Sequence, residues 1–156
     1  MTIREARFDE SEIIRKISHD TISSIYPKYY PGGAVSFFLE HHSIERIEKD
    51  ISAGQVFICL DDENGPVGTV TVMGNIIKRL FVLPEHQNKG FGRALLNYAE
   101  KLAAKDSGYI IIDSSLPAKG IYLKRGYKET EYHQLETANG DYLCYDVMNK
   151  IILSER

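Results

Sequence analysis

Leu80-Phe-Val-Leu-Pro-Glu-His-Gln-Asn-Lys-Gly-Phe-Gly-Arg-Ala-Leu-Leu-Asn-Tyr-Ala-Glu100 is the stretch that decides the fold. Residues 76–83 are an apolar, β-branched run and read as a strand. Pro84 cannot donate to a strand ladder, so it opens a short polar connection that runs to Lys89. From Gly90 onward Phe91, Leu95, Leu96, Ala99, Leu102 and Ala103 recur at helical spacing. The unit is therefore strand, glycine-containing turn, helix. The first-turn N–H groups of such a helix lack partners and sit at the positive end of its dipole, which makes the turn an anion site. Gly90 and Gly92 let a ligand approach the backbone, and Lys89 and Arg93 add positive charge. The turn does not have the Gly-x-x-x-x-Gly-Lys-Ser/Thr spacing of a nucleotide triphosphatase loop. It also has no third glycine for a dinucleotide fingerprint.

The rest of the chain arranges around this unit. Residues 2–8 alternate as a half-wet strand, and Asp9 can cap a helix lined by Ile13, Ile14, Ile17, Thr21 and Ile25. The breakers in residues 26–33 predict a loop, whose three tyrosines are expected to pack. Residues 34–52 read as one or two helices, with Ser43 as a cap between them. Residues 55–61 and 67–73 form a hairpin around Asn64-Gly65. The helix after the turn is expected to stop at Ser107-Gly108. The run Tyr109–Ser114 suits a strand buried on both faces. Pro117 opens a short helix that Gly126 closes. Residues 127–135 and 142–151 form a last hairpin around Asn139-Gly140. Antiparallel runs mixed with crossover helices predict an α/β sandwich, with a mixed, mostly antiparallel central sheet flanked by helices.

With 156 residues, the chain is expected to form a single domain spanning 1–156. A net charge of −3 argues against nucleic-acid binding as the main activity. No apolar run approaches the roughly 20 residues of a membrane span. The charged N-terminal stretch predicts no secretory leader, so a cytoplasmic location is the expectation. Cys59 and Cys144 have no metal-ligand spacing and read as reduced thiols.

Gln87-Asn-Lys-Gly90-Phe-Gly92 resembles the Gln/Arg-x-x-Gly-x-Gly/Ala motif of the GCN5-related N-acetyltransferases. A second stretch, Ser114-Ser-Leu-Pro-Ala-Lys-Gly-Ile-Tyr-Leu-Lys-Arg-Gly-Tyr127, resembles that family's other signature. Ala118, Tyr122, Gly126 and Tyr127 match it, and Ser115 stands where the family has asparagine. The element order is similar to the family's fold along essentially the whole chain. The resemblance implies acetyl-CoA as cosubstrate and direct attack of an amine on its thioester. It assigns Gln87, Asn88, Lys89, Gly90, Phe91, Gly92 and Arg93 to the pyrophosphate. Leu80, Phe81 and Val82 fall to the pantetheine arm, and Ser115 and Tyr122 to further cofactor contacts. A backbone N–H near Val82 is implied as the oxyanion donor and Tyr122 as the general acid.

No carboxylate stands on the central strand at Asn75-Ile-Ile-Lys-Arg79, so the general base stays open among Asp113, His41, His42, His133, Glu40 and a water chain. Each histidine is more simply structural, with one of His41 and His42 facing the interior and the other solvent. His86 reads as a surface residue, and Lys78 and Arg79 as solvated strand cations. The acceptor is implied to be a primary amine of a small molecule or protein. It would lie between residues 21–45 and 128–145, where Tyr26, Tyr29, Tyr30, Tyr132 and Tyr145 can form an aromatic wall or a homodimer contact. The competing readings are a non-catalytic acyl-CoA-binding module on the same fold and a phosphate-site protein unrelated to CoA.

Overall fold

In a computed structural model of the chain, residues 1–152 are described, and their strands join in one seven-stranded sheet of order β1-β2-β3-β4-β5-β7-β6. The strands are β1 (Thr2–Glu5), β2 (Val56–Asp61), β3 (Gly65–Met73), β4 (Ile76–Val82), β5 (Tyr109–Ser114), β6 (Lys128–Glu136) and β7 (Tyr142–Ile151). The helices are α1 (Ser11–Ile25), α2 (Gly32–His41), α3 (Ile44–Ser52), α4 (Phe91–Ala103) and α5 (Leu116–Lys124). Only β4 and β5 run parallel, because the α4 crossover joins them; every other pair is antiparallel. Among the described residues no helix is long and apolar enough to cross a membrane.

Strand alternation sorts the apolar side chains into two layers. Phe57, Cys59, Val70, Val72, Ile77, Ile110, Ile112 and Met148 face Phe91, Leu95, Leu96 and Ala99 of α4 and Tyr122 of α5. On the other side Val56 and Ile58 meet Ile14, Ile47 and Ile51, while Phe81 and Leu143 meet Ile17, Ile22, Tyr26, Tyr30 and Ala34. Gly68 is the close-approach point: a Cβ there would stand 2.8 Å from Leu95 Cδ1 and 3.0 Å from the Phe81 carbonyl oxygen.

Several elements depart from the sequence expectation. β1 ends at Glu5 because the chain turns at Phe8–Glu10, where Glu10 accepts from Arg7 N–H and from Arg4 at 2.8 Å. Asp9 caps nothing; Glu10 occupies the α1 cap position, and Ile13 points outward. α4 stops at Ala103, before Ser107-Gly108. β5 is not buried on both faces. Ile110, Ile112 and Ser114 are buried, but Tyr109 and Asp113 are exposed, because α1 and α3 pack on β2–β4 and α2 meets β7, and none of them packs closely on β5. Ser43 does cap α3, accepting from Arg46 N–H at 3.4 Å, and Gly126 closes α5 at φ 96°.

Gly32 and Gly33 form the first turn of α2 and do not end a loop. Gly33 N–H donates to Asp141 Oδ2 at 2.8 Å, so a carboxylate from the β6–β7 turn meets the positive end of the helix. A Cβ on Gly33 would stand 1.9 Å from Asn139 Oδ1, which Thr137 holds by a 2.8 Å hydrogen bond. Alanine normally stabilises a helix position over glycine by about 1 kcal/mol. Gly33→Ala is expected to reverse that sign and cost about 1–3 kcal/mol through overpacking. Gly32→Ala, which meets nothing within 4 Å, is expected to be neutral or stabilising. Urea midpoints of the two variants check this contrast.

Candidate active site

The site begins at an irregularity in β4. Thr71 pairs with Lys78 and Thr69 with Phe81, so β4 carries one residue more than β3 between those pairs. Arg79 absorbs the extra residue at φ 51°. The bulge turns Lys78 and Arg79 to the same side, where both reach Asp50 of α3, at 3.5 Å and 3.0 Å. Arg79 also donates from Nε to His42 Nδ1 and from Nη1 to Thr71 Oγ1, each at 3.1 Å. Its side chain is 2% exposed. Burial pulls the guanidinium pKa down, and Asp50 draws it back. Burial first, and Arg79 second, hold His42 well below the ordinary imidazole range. His41 beside it is exposed. Arg79 is thus a buried hub, not a solvated cation. Two consecutive charged residues in an apolar strand were the available sequence sign of a bulge.

Below the bulge β4 and β5 pair at Ile76–Ile111 and Ile77–Ile112, and beyond those positions they part. Leu83 N–H donates to Val67 O of the β3 side. Alternation along a strand therefore directs the backbone groups of Val82 and Leu80 to the other side, into the gap. Phe81, paired with Thr69, directs its backbone to β3, and its ring lies 5.3 Å from the His42 ring on the far face. Gln87 Nε2 donates to Val82 O at 2.9 Å and ties the connecting turn to the end of the strand.

Asn88 at φ 61° and Gly90 at φ 92° curl that turn into the start of α4. Asparagine and glycine are the residues that tolerate this conformation. Ala94 N–H is the first to reach back into the helix, to Gly90 O. The N–H groups of Phe91, Gly92 and Arg93 precede it in the first turn. Apart from its chain neighbours, nothing lies within 4 Å of where a Gly90 Cβ would be, so the backbone of the turn is unobstructed there. Lys89 and Arg93 are exposed beside it, while the Phe91 side chain is buried in the core and offers only its backbone.

α5 closes the other side of the gap. Tyr30 OH accepts from Leu116 N–H at 2.8 Å and donates to Cys144 O at 3.2 Å, fixing the start of α5 to β7 and to the segment after α1. Sequence alone carried no sign of this tie. Ser115 stands at the α5 cap position, with its side chain beside the Tyr26 hydroxyl. Tyr122 projects from α5 with 6% exposure, its ring 5.7 Å from that of Tyr127. Burial, with the Tyr26 phenol second, pushes its pKa far up, so it is a protonated donor at neutral pH. The tyrosine wall divides. Tyr26 and Tyr30 are buried and Tyr29 is exposed. Tyr145 stacks on His133, and Tyr132 sits at the neighbouring register position, on the opposite face.

The parted parallel pair thus lies beside an unobstructed turn at a helix N-terminus, and comparison with known proteins identifies the fold. The acetyltransferase (GNAT) domain family matches residues 25–140, and the chain belongs to that family. It is 23% identical over 150 residues to the peptidyl-lysine N-acetyltransferase YjaB of Salmonella typhimurium, covering 91% of this chain and 93% of that one. A GCN5-related N-acetyltransferase structure from Rhodopseudomonas palustris superposes with a TM-score of 0.85 at 23% identity, over 97% of this chain and 95% of the other. The PaiA N-acetyltransferase of Thermoplasma acidophilum, solved with coenzyme A, superposes at 0.72 with 21% identity, over 96% and 98% of the two chains.

Proposed function

We propose that the chain transfers an acetyl group from acetyl-CoA to a primary amine, of a small molecule or a protein, by direct attack. The observation that carries this reading is the parting of β4 from β5 after Ile77 and Ile112, directly beside the open turn at Gly90. Acetyl-CoA supplies the thioester on which the amine acts. The first-turn N–H groups of α4, with Lys89 and Arg93, suit the pyrophosphate, since they are unpaired donors at a helix N-terminus. The backbone groups of Leu80 and the N–H of Val82 suit the amide-bearing arm, which can add to the strand edge that β5 leaves free, whereas Val82 O already accepts from Gln87 Nε2 and Thr21 Oγ1. Of these the Leu80 N–H lies nearer the closed end of the gap, and it is then the donor that meets the carbonyl oxygen as it gains charge. Tyr122 donates the proton that the departing thiolate needs. The name of the YjaB relative supports an amine on a peptide lysine as one acceptor class.

A thermal-shift titration tests the cosubstrate. At about 100 times the dissociation constant, acetyl-CoA adds about 2.7 kcal/mol. That corresponds to a rise of roughly 5–10 °C for a chain of this size. The expected pattern is a rise with acetyl-CoA and CoA and none with ATP or NAD. A flat response at millimolar acetyl-CoA would remove the reading.

A further inference from the structure

The vertex of the gap limits how far any arm lying in it can reach, because Ile77 and Ile112 are still paired there. The next residue on β4 is Lys78 and the next on β5 is Asp113. Ile112 belongs to the layer under α4 and α5, so alternation turns Asp113 to the opposite face, where Lys78 also points. The reacting end of the arm is thus bordered, on the face away from α4, by one cation and one carboxylate. The cation is engaged: Lys78 lies 3.5 Å from Asp50. On β6, His133 lies 2.9 Å from Glu131. Asp113 is left without an ion-pair partner among the described residues.

We infer that Asp113 receives the acceptor as a primary alkylammonium and takes its proton. The inference rests on the transferase reading above. The groups that face Asp113 are Lys78 of β4, His41 of α2, Glu131 and His133 of β6 and Tyr145 of β7. Three of them belong to stacked aromatic pairs: His41 with Phe37 on α2, 6.1 Å apart at 8°, and His133 with Tyr145, 5.1 Å apart at 20°. Aromatic faces flanking a free carboxylate suit an alkyl chain that ends in a cation. Partial burial against the sheet raises the Asp113 pKa from its ordinary value. That narrows the distance to an alkylammonium, whose pKa is near 10.4. His42 is a poorer acceptor of the proton, since its Nδ1 lone pair already takes the Arg79 Nε–H bond.

The step balances as follows. One ammonium N–H bond breaks and its proton passes to an Asp113 carboxylate oxygen. The freed lone pair forms the N–C bond at the thioester carbonyl, and the C–S bond breaks. The thiolate takes the Tyr122 proton. A second proton leaving the nitrogen restores the phenol through solvent, and Asp113 gives its own proton to solvent. Each turnover yields an amide, a free thiol and one proton.

The test follows CoA release by the full chain with n-butylamine and with an N-terminally blocked lysine peptide, as kcat between pH 6 and 10. Wild type is expected to level off above the Asp113 titration. Asp113→Asn is expected to keep its acetyl-CoA affinity within twofold and to lose about 100-fold or more in kcat at pH 7. The deficit should then shrink about tenfold per pH unit as solution deprotonates the amine itself. A deficit constant across pH, as a structural role would give, overturns the proposal. So does a variant equal to wild type, or the pH-dependent deficit appearing in His41→Gln instead. Wild type that binds acetyl-CoA but releases no CoA with either amine also overturns it, and only that outcome takes the transferase reading with it.

Discussion

Tyr122→Phe is expected to lower kcat by about 10²–10³-fold while leaving the acetyl-CoA dissociation constant unchanged. A positioned general acid contributes on that scale, and the substitution removes only the hydroxyl. The ring stays, and with it the contact to Tyr127 at 5.7 Å and the place of α5 in the core. The Tyr122 hydroxyl makes no hydrogen bond to another of the described residues. Losing it therefore exposes no buried donor or acceptor elsewhere, and stability should move by less than about 1 kcal/mol. The check pairs single-turnover CoA release with calorimetric binding. Unchanged turnover with unchanged binding would take Tyr122 out of the chemistry and leave it as a packing residue. A selective loss of turnover would also exclude the non-catalytic CoA-binding module.

The second large effect is structural. Arg79→Ala is expected to destabilise the fold by about 3–5 kcal/mol, the cost of breaking a buried ion pair from one side. The lower end is favoured, because Asp50 keeps Lys78 at 3.5 Å. At about 2–4 °C per kcal/mol, the full range corresponds to a Tm lowered by roughly 6–20 °C. The bulge adds a sharper signature. Arg79 sits at φ 51°, which costs a non-glycine residue about 1 kcal/mol or more. Arg79→Gly loses the same ion pair but sheds that strain, so it should be less destabilised than Arg79→Ala, the reverse of the usual order in a strand. Adding Asp50→Asn to Arg79→Ala should recover part of the loss by removing the orphaned carboxylate. Thermal melts of these variants report how firmly the bulge is held, and with it the point at which β4 leaves β5.

The local elements were legible in the sequence because local rules govern them. Apolar period set β4 and α4, Asn-Gly pairs set both hairpins, and Gly126 closed α5 through a left-handed residue. The glycine turn ahead of α4 was legible for the same reason, since a strand, a proline and two glycines in close succession leave the backbone few options. Tertiary structure decided what side chains from distant segments do to one another. Asp50, His42 and Thr71 converge on Arg79 from three elements, and that convergence turns an apparently solvated cation into the buried anchor of a bulge. Tyr30 reaches Leu116 across 86 positions, and Asp141 reaches Gly33 across 108. The one-sided burial of β5 depended on how far α1–α3 extend over the sheet, which no periodicity within β5 records. That missing cover is what exposes Asp113 at the vertex of the gap.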